Sequence, residues 1–188
     1  MNQIRSSAAL VLATVCMAAL TATPAYAEEA VVNDGADATA SLTDIRRVRV
    51  DHGDEQLKVR VNFPDLRKKA AAGLNIYVDK NVQRRGPEFG LATPLFSGGD
   101  YALLRMKRWK FVEDGRVECG YDVNLKWKRD VLVFTADRGC FGEPDELRIG
   151  IRMRDSADSS HPVTDWLIGR KKFTEWLSAG EALSATRA

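Results

Sequence analysis

Between two cysteines the chain reads CGYDVNLKWKRDVLVFTADRGC, residues 119 to 140, and this bracketed stretch constrains the fold more than any other. Tyr121, Val123, Leu125 and Trp127 alternate with polar residues, and Leu132, Phe134 and Ala136 do so again after Arg129-Asp130. A period of two marks strands with one buried face, so the segment is predicted to be a β-hairpin. A two-residue loop at Arg129 and Asp130 sets Trp127 opposite Leu132, Leu125 opposite Phe134, and Cys119 opposite Cys140. Opposed residues in an antiparallel pair lie about 4.5–5.5 Å apart between Cα atoms, which a disulfide accepts. Because the spacing is nothing like C-x-x-C, a Cys119–Cys140 bond would be structural rather than redox-active.

A disulfide implies an oxidising compartment, and the N-terminus agrees with that. Arg5, the apolar stretch Ala8 to Leu20, and Ala25-Tyr26-Ala27 have the order of a secretory signal peptide over residues 1–27, cleaved after Ala27. Cys16, the third cysteine, would leave with it. The apolar stretch is shorter than the roughly 20 residues that a membrane span requires, so the protein is expected to be secreted, without a membrane span. The 28 Lys and Arg residues against 26 Asp and Glu leave a net charge of only +2. A nucleic-acid partner would call for a clear basic excess, so none is expected.

Other hairpin signals lie on both sides of the cysteine pair. Asp114-Gly115 is predicted to turn the chain between a run from Tyr101 to Val112 and one starting at Arg116. Gly142 to Asp145 is turn chemistry, after which Leu147, Ile149, Ile151 and Met153 alternate with Arg148, Gly150, Arg152 and Arg154. Near the N-terminus, Ile45–Val50 and Leu57–Phe63 flank the turn Asp51 to Asp54, and an apolar strand follows at Leu74–Val78. Short strands, many turns and no long helical period predict an all-β, single-domain antiparallel two-sheet β-sandwich over residues 43–177. Residues 28–42 are expected to be a flexible leader, and 178–188 a disordered or frayed tail after a strand end or helical turn that packs Trp176.

Asp44 to Val50, the L-x-V-x-V strand running into Asp65-Leu66, Tyr77-Val78-Asp79, Arg85 to Phe89, Asp137 to Phe141, and Asp165-Trp166 together resemble a group of uncharacterised secreted actinobacterial proteins, over about residues 43–177. Their outline is similar to DOMON-like sandwiches and family 9 carbohydrate-binding modules. That resemblance implies a binding or adhesive role toward extracellular sugars, or toward haem in some DOMON relatives.

The residues themselves supply little chemistry. There is no H-E-x-x-H, G-x-S-x-G, Walker or dinucleotide pattern, so no catalytic residue is assigned. Ser160-His161 is a neighbour pair that would point apart on an extended chain. No cofactor is expected, since Met106 and Met153, the possible haem ligands besides His52 and His161, fall on strands where they would pack in the core. Asp79, Asn81 and Glu88 space oxygen atoms as a calcium loop might, but Arg84 stands where the sharp-turn glycine belongs, so Asx turns are the expected reading and no metal is assigned.

Ligand-binding candidates remain. Trp166, bounded by Pro162 and Gly169, is the tryptophan expected to be most exposed, and Tyr77 joins it, whereas Trp109 and Trp127 lie in strand runs. Arg47, Arg49, Lys58 and Arg60 could form a basic row on the first hairpin, and Arg148, Arg152 and Arg154 another. The expected function is a non-catalytic binding module acting as a monomer on an extracellular polysaccharide or cell-wall polymer. The alternative, a structural or protein-interaction module, would present an exposed apolar patch or an unpaired edge strand.

Overall fold

The structure is a computed structural model that describes residues 28–180. The expected signal peptide and the tail beyond Gly180 lie outside the described residues. Twelve strands follow in order: β1 (Glu28–Asn33), β2 (Arg47–His52), β3 (Gln56–Asn62), β4 (Ala72–Asp79), β5 (Phe89–Pro94), β6 (Ala102–Lys107), β7 (Lys110–Arg116), β8 (Tyr121–Lys126), β9 (Val131–Asp137), β10 (Glu146–Asp155), β11 (Val163–Trp166) and β12 (Leu177–Ser178). They build two antiparallel sheets. One has the order β1-β2-β3-β9-β8, and the other β11-β10-β4-β5-β6-β7 with β12 also on β10.

Alternation decides which side chains meet between the sheets. Val48, Val50, Leu57, Val59, Val61, Leu132 and Phe134 face inward from the first sheet, and Leu74, Ile76, Val78, Leu91, Leu147, Ile149, Ile151 and Met153 from the second. Every one is buried, which makes this a two-layer β-sandwich with a single apolar core. Among the described residues no helix is long and apolar enough to cross a membrane.

Three expectations are corrected. The segment 28–42 begins as β1 rather than as a leader, because Ala30 and Val32 lie beside Val50 and Val48 of β2 and complete the inner face. The disulfide joins Cys119 to Cys140 with a Cα separation of 5.5 Å, but the β8–β9 register is shifted by two residues, pairing Leu125 with Leu132 and Tyr121 with Ala136. The cause is the loop. Trp127–Arg129 form a 3-10 turn closed by Asp130 in the left-handed region, so Lys126 rather than Lys128 begins the pairing. Cys140 reaches its partner from a second 3-10 turn, Arg138–Phe141, that bends back after β9.

Asp114-Gly115 makes a bulge, not the hairpin turn. The β6–β7 turn falls at Arg108-Trp109, and the register slips between Leu104 and Met106 to take up the extra residues. Of the strand end or helical turn expected beside Trp176, the structure has the strand, β12, which pairs with β10 at Leu147 and Glu146.

Candidate functional site

The outer face of the second sheet is built for close approach. Tyr77 of β4 lies opposite Gly150 of β10 and Gly90 of β5, so an aromatic ring is flanked by positions without side chains. Phe173 fills the space above Gly150, where a Cβ would stand 2.9 Å from the Lys172 carbonyl and 3.2 Å from the Phe173 ring. Thr174 straps this segment down, donating its N–H to the Ile149 carbonyl at 2.8 Å while its hydroxyl accepts the Ile149 N–H at 3.0 Å.

Four aromatic rings converge there. Tyr77 and Trp166 lie nearly parallel, 19° apart with centroids at 5.8 Å. Trp109 meets both edge-on, at 5.1 Å from Tyr77 and 5.8 Å from Trp166, and Phe173 lies 5.0 Å beyond it. Trp109 arrives from a turn in which Arg108 and Trp109 have φ of 50° and 67°. Bulky residues rarely adopt this left-handed conformation, and strained backbone tends to gather where a ligand is held. Lys171, at φ 59°, is a third such residue beside the cleft. Gly86 lets the tryptophan in, since a Cβ there would be 2.7 Å from the Trp109 indole.

Tyr77, Trp109, Trp166, Thr164, Arg152, Arg170 and Lys171 line a cleft of about 470 Å³. Its charge is one-sided. None of these residues is acidic, and among the described residues Arg152, Arg170 and Lys171 make no ion pair. Arg152 donates one bond to Asn75 Oδ1 at 3.2 Å, while its Nε–H finds no partner, and its guanidinium lies 5.9 Å from the Trp166 ring centre. Burial pushes the Tyr77 hydroxyl above its ordinary value, so it stays neutral.

The sequence candidates are thus divided. Tyr77 and Trp166 come together, whereas Arg47, Arg49, Lys58 and Arg60 lie on the outer face of the other sheet, on the far side of the core. There Arg49 stands opposite Arg60 and Asp51 opposite Lys58, and Arg49 ion-pairs with Glu29 at 2.5 Å and Asp51 at 3.2 Å. That face is of mixed charge. Trp109, Arg170 and Lys171 were missed as ligand candidates because a Trp-bearing turn is not among the usual Asn-Gly type signals.

Asp79 ends β4, and Asn81 and Glu88 lie in the loop that follows it, each with internal partners. Asp79 Oδ2 accepts Arg148 Nε and Nη2 at 2.9 and 2.7 Å, and its Oδ1 accepts the Asn81 N–H. Asn81 accepts the Gln83 N–H, and Glu88 the Lys80 N–H. Ser160 and His161 do meet, contrary to the extended-chain expectation: residues 158–161 bend, bringing Ser160 Oγ to 2.5 Å from Asp158 and 3.0 Å from His161 Nδ1. The His161 side chain is 85% exposed, so this contact sits in water rather than in a pocket. A wider basin of about 1490 Å³ at one end of the sandwich has acids and bases intermixed, and its aromatic, Trp176, is stacked by Arg148 at 4.5 Å. Comparison with protein-family models and with curated proteins finds no match to this chain.

Proposed function

We propose that the protein is a secreted, non-catalytic binding module whose aromatic cleft holds an acidic extracellular or cell-envelope polysaccharide. The observation that carries this is the cleft's composition: three cations without ion-pair partners among the described residues surround Trp109, Trp166 and Tyr77, with no acid in the lining. Aromatic rings offer apolar faces and edges to the C–H groups of a sugar ring, while guanidinium and ammonium groups meet carboxylate or phosphate. The N-terminal signal pattern and the disulfide support a place outside the cytoplasm.

The test is retention of the protein in gels containing acidic polysaccharides, phosphate-linked wall polymer or neutral glucans, at low and high salt. Selective retention by acidic polymers is expected, weakened by salt yet still measurable, because stacking is not screened. Equal retention by neutral glucans, or none by any polymer, would sink the reading.

The protein-interaction alternative has one observation in its favour. β7 is an edge strand of its sheet, and Phe111 and Val112 on it are exposed. An exposed apolar edge invites pairing with another chain.

A further inference from the structure

Away from the cleft, the loop between β1 and β2 reads DGADATASLTD over residues 34–44 and returns three aspartates toward Asp165 of β11. One carboxylate oxygen from each of Asp34, Asp37 and Asp165 lies within 4.8 Å of the others. Asp165 is only 3% exposed. Its Oδ2 accepts the Ile45 N–H at 2.7 Å, but its Oδ1 has no partner among the described residues, and neither has Oδ2 of Asp34. Asp44, fully buried alongside, accepts the Ala38 N–H at 3.3 Å through Oδ1, while its Oδ2 lies 3.2 Å from the Arg46 guanidinium without a hydrogen-bond partner among the described residues. Asp34, Asp37 and Asp165 make no ion pair among the described residues.

Buried carboxylate oxygens without hydrogen-bond partners are costly, and like charges in contact add to the cost. The geometry points to a calcium site formed by Asp34, Asp37 and Asp165, which would clamp the β1–β2 loop onto β11. Calcium binds oxygen at about 2.3–2.6 Å in a flexible coordination shell, and oxygens within 4.8 Å of one another can all reach one such ion. Magnesium, at about 2.0–2.1 Å, demands a tighter octahedron. Asp37 is exposed and gives the ion an entrance, where water completes the coordination. Asp165 precedes Trp166, so the strand that the ion clamps also forms a wall of the cleft.

The test titrates chelator-treated protein with CaCl2, and separately with MgCl2, by calorimetry and by melting temperature. Saturable binding of one Ca2+ is expected, with a melting temperature raised by roughly 5–10 °C at a hundredfold excess over Kd. Asp37→Asn, at an exposed position, should fold normally and bind calcium at least about tenfold more weakly. Asp165→Asn should bind none and should melt higher than the cation-free wild type, because one like charge is gone. The site is overturned by the absence of saturable binding up to about 10 mM Ca2+, by binding unchanged in both variants, or by a response to magnesium equal to that for calcium.

Discussion

Asp79 has a fully buried side chain, and its charge is met by one guanidinium, that of Arg148, itself held between the rings of Phe173 at 4.7 Å and Trp176 at 4.5 Å. Removing Arg148 strands a carboxylate in the protein, so Arg148→Ala should cost about 3 kcal/mol in urea unfolding. The double variant Asp79→Asn with Arg148→Met should recover most of that, because neither half is then left charged and alone. A single-variant loss below about 1 kcal/mol would show that the pair contributes little. His52 is the other exceptional residue. It is buried, donates Nδ1–H to the Leu177 carbonyl at 2.9 Å, and has no partner for Nε2 among the described residues. Burial holds its pKa below the ordinary 6.5, with nearby Arg138 acting the same way and Glu28 and the Leu177 bond opposing. Below about pH 6.5 the unfolded chain therefore binds a proton that the folded chain refuses, and stability falls as pH falls. The wild type should lose more stability between pH 7 and pH 5 than His52→Gln does. Parallel pH profiles of melting temperature for the two proteins would contradict this.

Among the elements, the β8–β9 hairpin shows what alternation can and cannot fix. Period-two patterning placed Leu125 and Leu132 on the inner face, and a slip of two residues leaves that face unchanged. Register depends on the loop, and the 3-10 turn at Trp127–Arg129 is held by a distant contact: Asp130 accepts the Leu66 N–H at 2.8 Å. No local signal carries that information. The β6–β7 turn was obscured similarly, since Asp114-Gly115 has hairpin chemistry but is absorbed as a bulge. The cysteine pair, which closes a sequence separation of 21, ties the open end of the hairpin whatever its register. Replacing both cysteines by serine should lower stability by about 3 kcal/mol on the chain-entropy view, read as a shift in denaturant midpoint. On β10, Gly150→Val should push the Lys172–Thr174 strap off the sheet and cost roughly 1–3 kcal/mol. An unchanged midpoint would mean that the strap has room to move.

For the whole molecule, the two outer faces behave differently although both carry arginines. Arg47, Arg49, Lys58 and Arg60 share their sheet with Glu29 and Asp51, so that surface is a solvated mixture of charge. Arg152 instead stands opposite Trp166 in a cleft that it shares with Tyr77, whose neighbours across the strands are glycines. Sandwich architecture, core and disulfide were legible from composition and alternation alone, because one buried face per strand leaves a period of two. The site was half legible: Tyr77 and Trp166 stood out as aromatics, but their meeting with Trp109, Arg170 and Lys171 depends on strand order and left-handed turns that the sequence does not announce. The most direct measurement is calorimetric affinity for the best-retained acidic polymer, compared among wild type, Trp166→Ala and the Arg47→Ala/Arg60→Ala double variant, each checked for folding by circular dichroism. A cleft that binds predicts a loss of about tenfold or more for Trp166→Ala and no more than about twofold for the opposite-face variant. Full affinity in Trp166→Ala with loss in the arginine double variant would contradict it and move binding to the other sheet.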